Sequence, residues 1–166
     1  FIELKKDPRL KNLRLRATGG VTSGDKDYVR EAMAHAERAG VAADVEIIEE
    51  FNRAARHEFL RTLTVLSAPA REGEAFGLFT VEANAHGVPV VQPDAGAFKE
   101  IVETTGGGVI YDLADKTGLV ESLRRVLTDH DFARALGAKG HAHVHAHMTA
   151  ARMAENMEAV FQEFAR

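Results

Sequence analysis

Short apolar runs alternate along this chain with longer segments whose apolar residues recur at helical spacing. Phe1 to Asn12 is charged and predicts a helix at its start, tailing into a loop at Pro8. Leu13-Arg-Leu-Arg-Ala17 alternates apolar and basic residues and then meets Gly19-Gly20, the pattern of a strand ending in a tight turn. Ser23 or Asp25 is placed to cap a helix carrying Tyr28, Val29, Ala32, Met33 and Ala36 on one face and ending at Gly40. Val45 to Ile48 reads as a short strand. Asn52 caps a helix through Phe59 and Leu60, and Leu63-Thr-Val-Leu-Ser67 follows as a strand closed off by Pro69.

The second half repeats the rhythm. A loop holding Glu74 leads to a short helix from about Phe79 to His86, then to the strand Val88-Pro-Val-Val-Gln92. Pro89 suits the beginning of a strand, where a missing N–H matters least. Gly96 lies in a loop before a helix near Phe98 to Glu103, and Gly106-Gly-Gly108 reads as a flexible turn into Val109-Ile-Tyr111. Three helices finish the chain, the last with Met153, Met157, Val160, Phe161 and Phe164 at helical spacing, the pattern of a core face, or of one left partly exposed where a partner domain is missing. Five apolar strands alternating with helices predict an α/β domain over residues 1–166, a Rossmann-like parallel sheet with helices on both faces. Such sheets bind ligands at loops leaving the carboxyl ends of their strands, where Glu74 and Gly96 lie.

Composition narrows the partners. The 166 residues are enough for one domain with its own core, and their net charge of -4 offers no basic excess to neutralise nucleic-acid phosphates. There is no cysteine, hence no disulfide framework and no thiolate chemistry. No apolar run approaches the length of a membrane span, and no signal peptide is visible. A cytoplasmic location is the default expectation. The chain begins at Phe1, so it reads as a fragment of something longer.

The chemistry concentrates in Glu74-Ala-Phe-Gly-Leu-Phe-Thr-Val-Glu82 and Ala83-Asn-Ala-His-Gly-Val-Pro-Val-Val91. A carboxylate among small apolar residues is costly unless something hydrogen-bonds it. A helix beginning near Phe79 would present the N–H groups of Gly77 and Leu78 to a phosphate. Glu82, in its first turn, could accept from ribose hydroxyls, and Glu74 would face whatever lies beyond the phosphates. Together these describe a nucleotide sugar. A glutamate in a first turn is also stabilised by the helix dipole with no ligand at all, and spacing alone favours that plainer reading.

The residues themselves shift the balance. Glu-x7-Glu with Phe-Gly-Leu inside, followed by Glu-Ala-x-Ala-x-Gly-x-Pro-Val-Val, resembles the donor-binding half of GT-B retaining glycosyltransferases of group 1, family 4. Gly96-Ala-Phe-Lys-Glu100-Ile-Val continues the likeness, as do Gly108-Val-Ile-Tyr111, the helix from Lys116 to Thr128 and the strand at Leu13 to Gly20. The resemblance implies a sugar moved from a nucleoside-diphosphate sugar to an acceptor, with no bound metal and no cofactor. It implies Glu74 as the catalytic residue on the donor sugar and Glu82 on the ribose. Phe76, Gly77, Leu78 and Gly96 would contact sugar and diphosphate, and residues around Glu49 would lie near the base. It also implies a missing amino-terminal, acceptor-holding domain, through which the enzyme could reach a membrane. The isolated chain would then bind donor weakly without turnover.

Departures from the family pattern stand at Phe79 for proline, Asn84 for methionine, His86 for cysteine, and at Ala97 and Lys99 in the second loop. Ala97 is expected to limit close backbone approach there. His86, before Gly87, suits a helix C-terminus, and Lys99 is placed equally for a phosphate or for solvent. His141-Ala-His-Val-His-Ala-His147 puts two pairs at i,i+4, yet no carboxylate completes either, so a solvated helix end is expected and no metal. The alternatives to a transferase are a non-catalytic nucleotide-sugar-binding module and a related epimerase, the latter disfavoured by Glu-x7-Glu.

Overall fold

The computed structural model describes residues 1–19, 22–48 and 52–164, and the chain divides into two compact units, Phe1–Thr62 and Leu63–Arg166. In the first, helix α1 (Ile2–Lys5) leads through a 3-10 turn at Pro8–Leu10 to strand β1 (Leu15–Thr18). Helix α2 (Lys26–Arg38), strand β2 (Val45–Ile48) and helix α3 (Arg53–Arg61) follow. β1 and β2 pair in parallel, with Leu15 opposite Val45 and Thr18 opposite Ile48. Parallel neighbours need a long crossover, which α2 supplies. Arg16 faces Glu46 across the pair at 2.7 Å, and that hydrogen bond holds the Glu46 carboxyl below its usual range.

Local signals in this unit are obeyed with two corrections. Asn52 caps α3, accepting from the Ala55 N–H at 2.9 Å, and Gly40 follows α2 at φ +71°. Asp25 occupies the N-cap of α2, but its carboxylate turns back to accept from the N–H and hydroxyl of Thr22. The buried face of α2 is narrower than its apolar pattern: Ala36 is buried and Val29 and Met33 half-buried, while Tyr28 is 74% exposed and Ala32 faces solvent.

The second unit contains α4 (Leu78–Ala85), β3 (Val90–Pro93), α5 (Phe98–Thr105), β4 (Gly108–Tyr111), α6 (Gly118–Thr128), α7 (His130–His147) and α8 (Ala150–Phe164). β3 and β4 pair in parallel, Val90 opposite Gly108 and Pro93 opposite Tyr111. On the opposite edge of β3, Leu66 forms a single parallel bridge to Val90. The α/β class with parallel strands therefore stands. Among the described residues the expected five-stranded sheet is instead two two-stranded sheets, and Leu63–Ser67 contributes only that bridge. Beyond it, side chains replace the ladder. The Ser67 hydroxyl donates to the Val91 carbonyl at 2.7 Å, and the Ala68 N–H donates to Gln92 Oε1 at 2.9 Å.

Val91, Tyr111, Val126 and Leu136 form the core of this unit, with Leu119, Leu123 and Phe132 packed against them. The glycine run is a packing seam, contrary to the expected flexible turn. Gly106 ends α5 in the left-handed region, a Cβ on Gly107 would lie 2.3 Å from Asn84 Oδ1, and one on Gly108 2.5 Å from the Val90 carbonyl oxygen. The expected core face of α8 is also corrected. None of its residues is buried, and Met153, Met157, Val160, Phe161 and Phe164 are 46–82% exposed, because nothing among the described residues packs over that stripe. No described helix is long and apolar enough to cross a membrane.

The Gly108 contact is with backbone, which cannot swing aside. Gly108→Ala is expected to lower the unfolding free energy by about 1–3 kcal/mol in urea titrations. Gly24→Ala, whose Cβ would meet nothing closer than 3.7 Å, should stay within about 0.5 kcal/mol of the parent.

Candidate functional site

Two loops leave the carboxyl ends of neighbouring parallel segments, one running from Leu66 to Gly77 and one from β3 to Ala97. They meet backbone to backbone. Glu74 and Gly96 form a parallel bridge, and the Ala97 N–H donates to the Glu74 carbonyl at 2.9 Å. No side chain fits between them: a Cβ on Gly96 would lie 2.5 Å from the Glu74 carbonyl oxygen, and one on Gly73 2.5 Å from the Gly96 nitrogen. Both glycines hold positive φ, +54° and +74°, which only glycine adopts freely. Ala97 therefore does not keep the backbones apart, since the close approach is made one residue earlier. Gly73 went unnoticed in the sequence; its only signal was a glycine one position before the first motif glutamate.

The loop ends at Gly77, a left-handed N-cap with φ +57° that gives α4 no side-chain cap. A Cβ there would press on Ile101 at 3.1 Å and on the Phe98 ring at 3.4 Å. The first N–H groups of a helix have no partner within it, and the macrodipole adds positive potential at that end. Leu78 opens the helix one residue earlier than the sequence predicts. Glu82 consequently stands in the second turn and is half-buried, beyond the first turn where the dipole acts most strongly. This weakens the reading of Glu82 as a dipole-stabilised surface residue. Glu74 is exposed, and Phe76 and Leu78, 77% and 67% exposed, flank the buried Gly77 with apolar side chains turned to solvent.

Two buried amides hold α4 in place. Gln92, fully buried in β3, takes the Ala68 N–H on Oε1 and donates from Nε2 to the Thr80 hydroxyl at 3.2 Å, joining the first turn of α4 to the strand. Asn84 donates from Nδ2 to the carbonyls of Val88 and Gly107 at 3.1 and 3.0 Å, while its buried Oδ1 has no partner among the described residues. It fits because Gly107 and Gly140 lack side chains; a Cβ on Gly140 would lie 2.7 Å from Asn84 Cγ. The sequence marks Asn84 only as a departure from the family methionine and Gln92 only as the end of a strand; a polar residue inside an apolar run is the signal both carry. Phe79, in place of the family proline, meets the Phe98 ring edge-on at 5.7 Å.

The remaining candidates separate. Lys99 pairs with Asp94 at 3.0 Å, and that hydrogen bond raises its pKa above the ordinary lysine value. His86 closes α4 as expected, with Nδ1 2.7 Å from the Glu82 carbonyl oxygen. Glu49 lies outside the described residues. Among the described residues no group of three or more His, Asp or Glu side chains is gathered to hold a metal.

Residues 1–143 match the family model of glycosyl transferases group 1. The chain belongs to that family. It is 32% identical over 155 residues to the lipopolysaccharide core biosynthesis mannosyltransferase LpsB of Rhizobium meliloti, covering 91% of this chain and 42% of that protein. To the phosphatidyl-myo-inositol mannosyltransferase of Mycolicibacterium smegmatis it is 28% identical over 125 residues, 75% of this chain and 31% of the other. The chain thus spans less than half the length of these relatives. Its fold is that of the carboxyl-terminal, Rossmann-like half of GT-B glycosyltransferases. It superposes on HepE of Anabaena, solved with UDP, with TM-score 0.83 at 18% identity over 98% of this chain and 43% of that one. On the C-terminal domain of LpcC from Francisella tularensis the TM-score is 0.79 at 20% identity, covering 90% of this chain and 75% of that one.

In this group 1 chain the crossing at Gly96 sets where Glu74 sits. Gly96→Ala is expected to cost about 1–3 kcal/mol and to shift the backbone amide resonances of Glu74 and Ala97, read by denaturation and two-dimensional NMR.

Proposed function

We propose that this chain is the donor-binding domain of a retaining glycosyltransferase that moves a sugar from a nucleoside-diphosphate sugar to an acceptor held by an amino-terminal domain. The observation that carries the reading is the uncapped start of α4 at Gly77, set between Glu74 and Glu82 and locked there by the Glu74–Gly96 crossing. Glu82 takes the ribose hydroxyls and Glu74 the hydroxyls of the donor sugar, making Glu74 the catalytic residue. The backbone of Phe76, Gly77 and Leu78, with Gly96 beside it, lines the sugar and diphosphate. Charge developing on the departing diphosphate meets preorganised N–H donors and the helix dipole, so this transfer needs no metal and no cofactor.

Relatives named as mannosyltransferases and the HepE structure solved with UDP and glucose support a nucleotide-sugar donor. Transfer requires donor and acceptor held together, and orientation supplies much of the rate. This chain alone therefore binds donor weakly and does not turn over. The whole enzyme works in the cytoplasm, with any membrane association made through its other domain.

In the full-length protein Glu74→Ala should lower kcat by roughly 100-fold or more, whereas Glu82→Ala should mainly weaken binding of the free nucleoside diphosphate. Sugar transfer assays and calorimetry separate the two effects. A Glu74→Ala protein that loses affinity while keeping its rate at saturating donor would favour a non-catalytic binding module.

A further inference from the structure

We propose that the carboxyl-terminal part of α7 carries two chelating sites for a borderline divalent transition-metal ion, zinc(II) or copper(II), each built from a histidine pair. His141 and His145 stand one turn apart with ring centroids 4.3 Å from each other, and His143 and His147 do the same at 4.7 Å. Two metal–nitrogen bonds of about 2 Å meeting near the tetrahedral angle place imidazole centroids roughly 5 Å apart. Each pair thus holds its two rings at close to the spacing that one ion of its own requires. His141, His145 and His147 are exposed and His143 half-buried, so an ion and its completing waters have access. At 100° per residue the pairs are turned about 200° from each other around the helix, so they form two separate chelates. That separation is why no larger cluster gathers.

The sequence expects a solvated helix end because no carboxylate completes either pair. What changes that reading is His145. Its Nε2 lies 3.1 Å from the carbonyl oxygen of Ala85, the last residue of α4. An acceptor there requires the proton on Nε2, leaving the lone pair of the neutral ring on Nδ1. A metal-bound histidine ordinarily donates its second ring N–H to a carbonyl or carboxylate, which fixes the tautomer and raises the ligand's basicity. His145 already has that partner. An ion on the His141–His145 pair is therefore tied through Ala85 to the helix bearing Glu82. The sites stand apart from the proposed transfer chemistry and do not rest on it.

The test is titration of the whole chain with copper(II) and, separately, zinc(II), followed by calorimetry and two-dimensional NMR. The expected result is saturable uptake at one ion per pair, copper(II) tighter than zinc(II) as the general order of divalent affinities requires. Paramagnetic broadening should be confined to residues around the two pairs and, for the His141–His145 site, should extend to Ala85. His141→Ala should weaken that site by roughly tenfold or more and abolish the Ala85 response, leaving the other intact. His143→Ala should do the converse. Uptake that does not saturate, or that persists unchanged in the His141→Ala/His143→Ala double variant with native circular dichroism, would overturn the proposal.

Discussion

The contact between the Glu74 and Gly96 backbones is the constraint on which the site depends. Two loops that follow neighbouring parallel segments are joined there by a bridge with no side chain between them, and glycine at 73 and 96 is the only residue that permits it. The crossing sets the path of the chain into Gly77, whose left-handed conformation turns a loop into a helix without a capping side chain. A larger residue at any of these three positions pushes against backbone or against the Phe98 and Ile101 side chains, and Glu74 moves with it.

Behind the loops, the position of α4 is held by polar groups inside an apolar unit. Gln92 and Asn84 are fully buried; Gln92 bonds through both ends of its amide and Asn84 through Nδ2, to backbone or hydroxyl groups of adjacent segments. Buried hydrogen bonds of this kind contribute modest net stability but penalise any shift that breaks them, because the separated groups are left without water. They specify where α4 sits relative to β3 and the Gly107 turn. The apolar cluster around Val91, Tyr111, Val126 and Leu136 supplies burial, and the amides supply position.

Much of this was legible from the chain alone. The motif from Glu74 to Val102 carried the family, and the alternation of apolar runs with helical spacing carried the α/β class. Caps such as Asn52, Gly40 and His86 fell where local chemistry puts them, because each acts on backbone groups within a few residues. The misreadings share one origin. Leu63–Ser67 has the composition of a strand, yet its ladder is replaced after Leu66 by bonds involving Ser67 and Gln92, the latter 24 positions away from its partner. The α8 stripe and Tyr28 have the pattern of a core but no neighbour among the described residues to make them one. The glycine run has the composition of a mobile turn, but Asn84 and Val90 occupy the space that side chains at 107 and 108 would need.

The sequence by itself determined the family, the class of fold, the order of the elements apart from the strand expected at Leu63–Ser67, and the identity of the acids at Glu74 and Glu82, since these are set by local spacing and by a motif read along the chain. Tertiary structure decided which glycines are crossings, that Glu82 falls in the second turn of α4, and that Asn84 and Gln92 brace that helix. It also decided that His145 meets the end of α4. The physical reason is distance in sequence: each of these rests on an approach of a few ångströms between segments that local pattern cannot bring together.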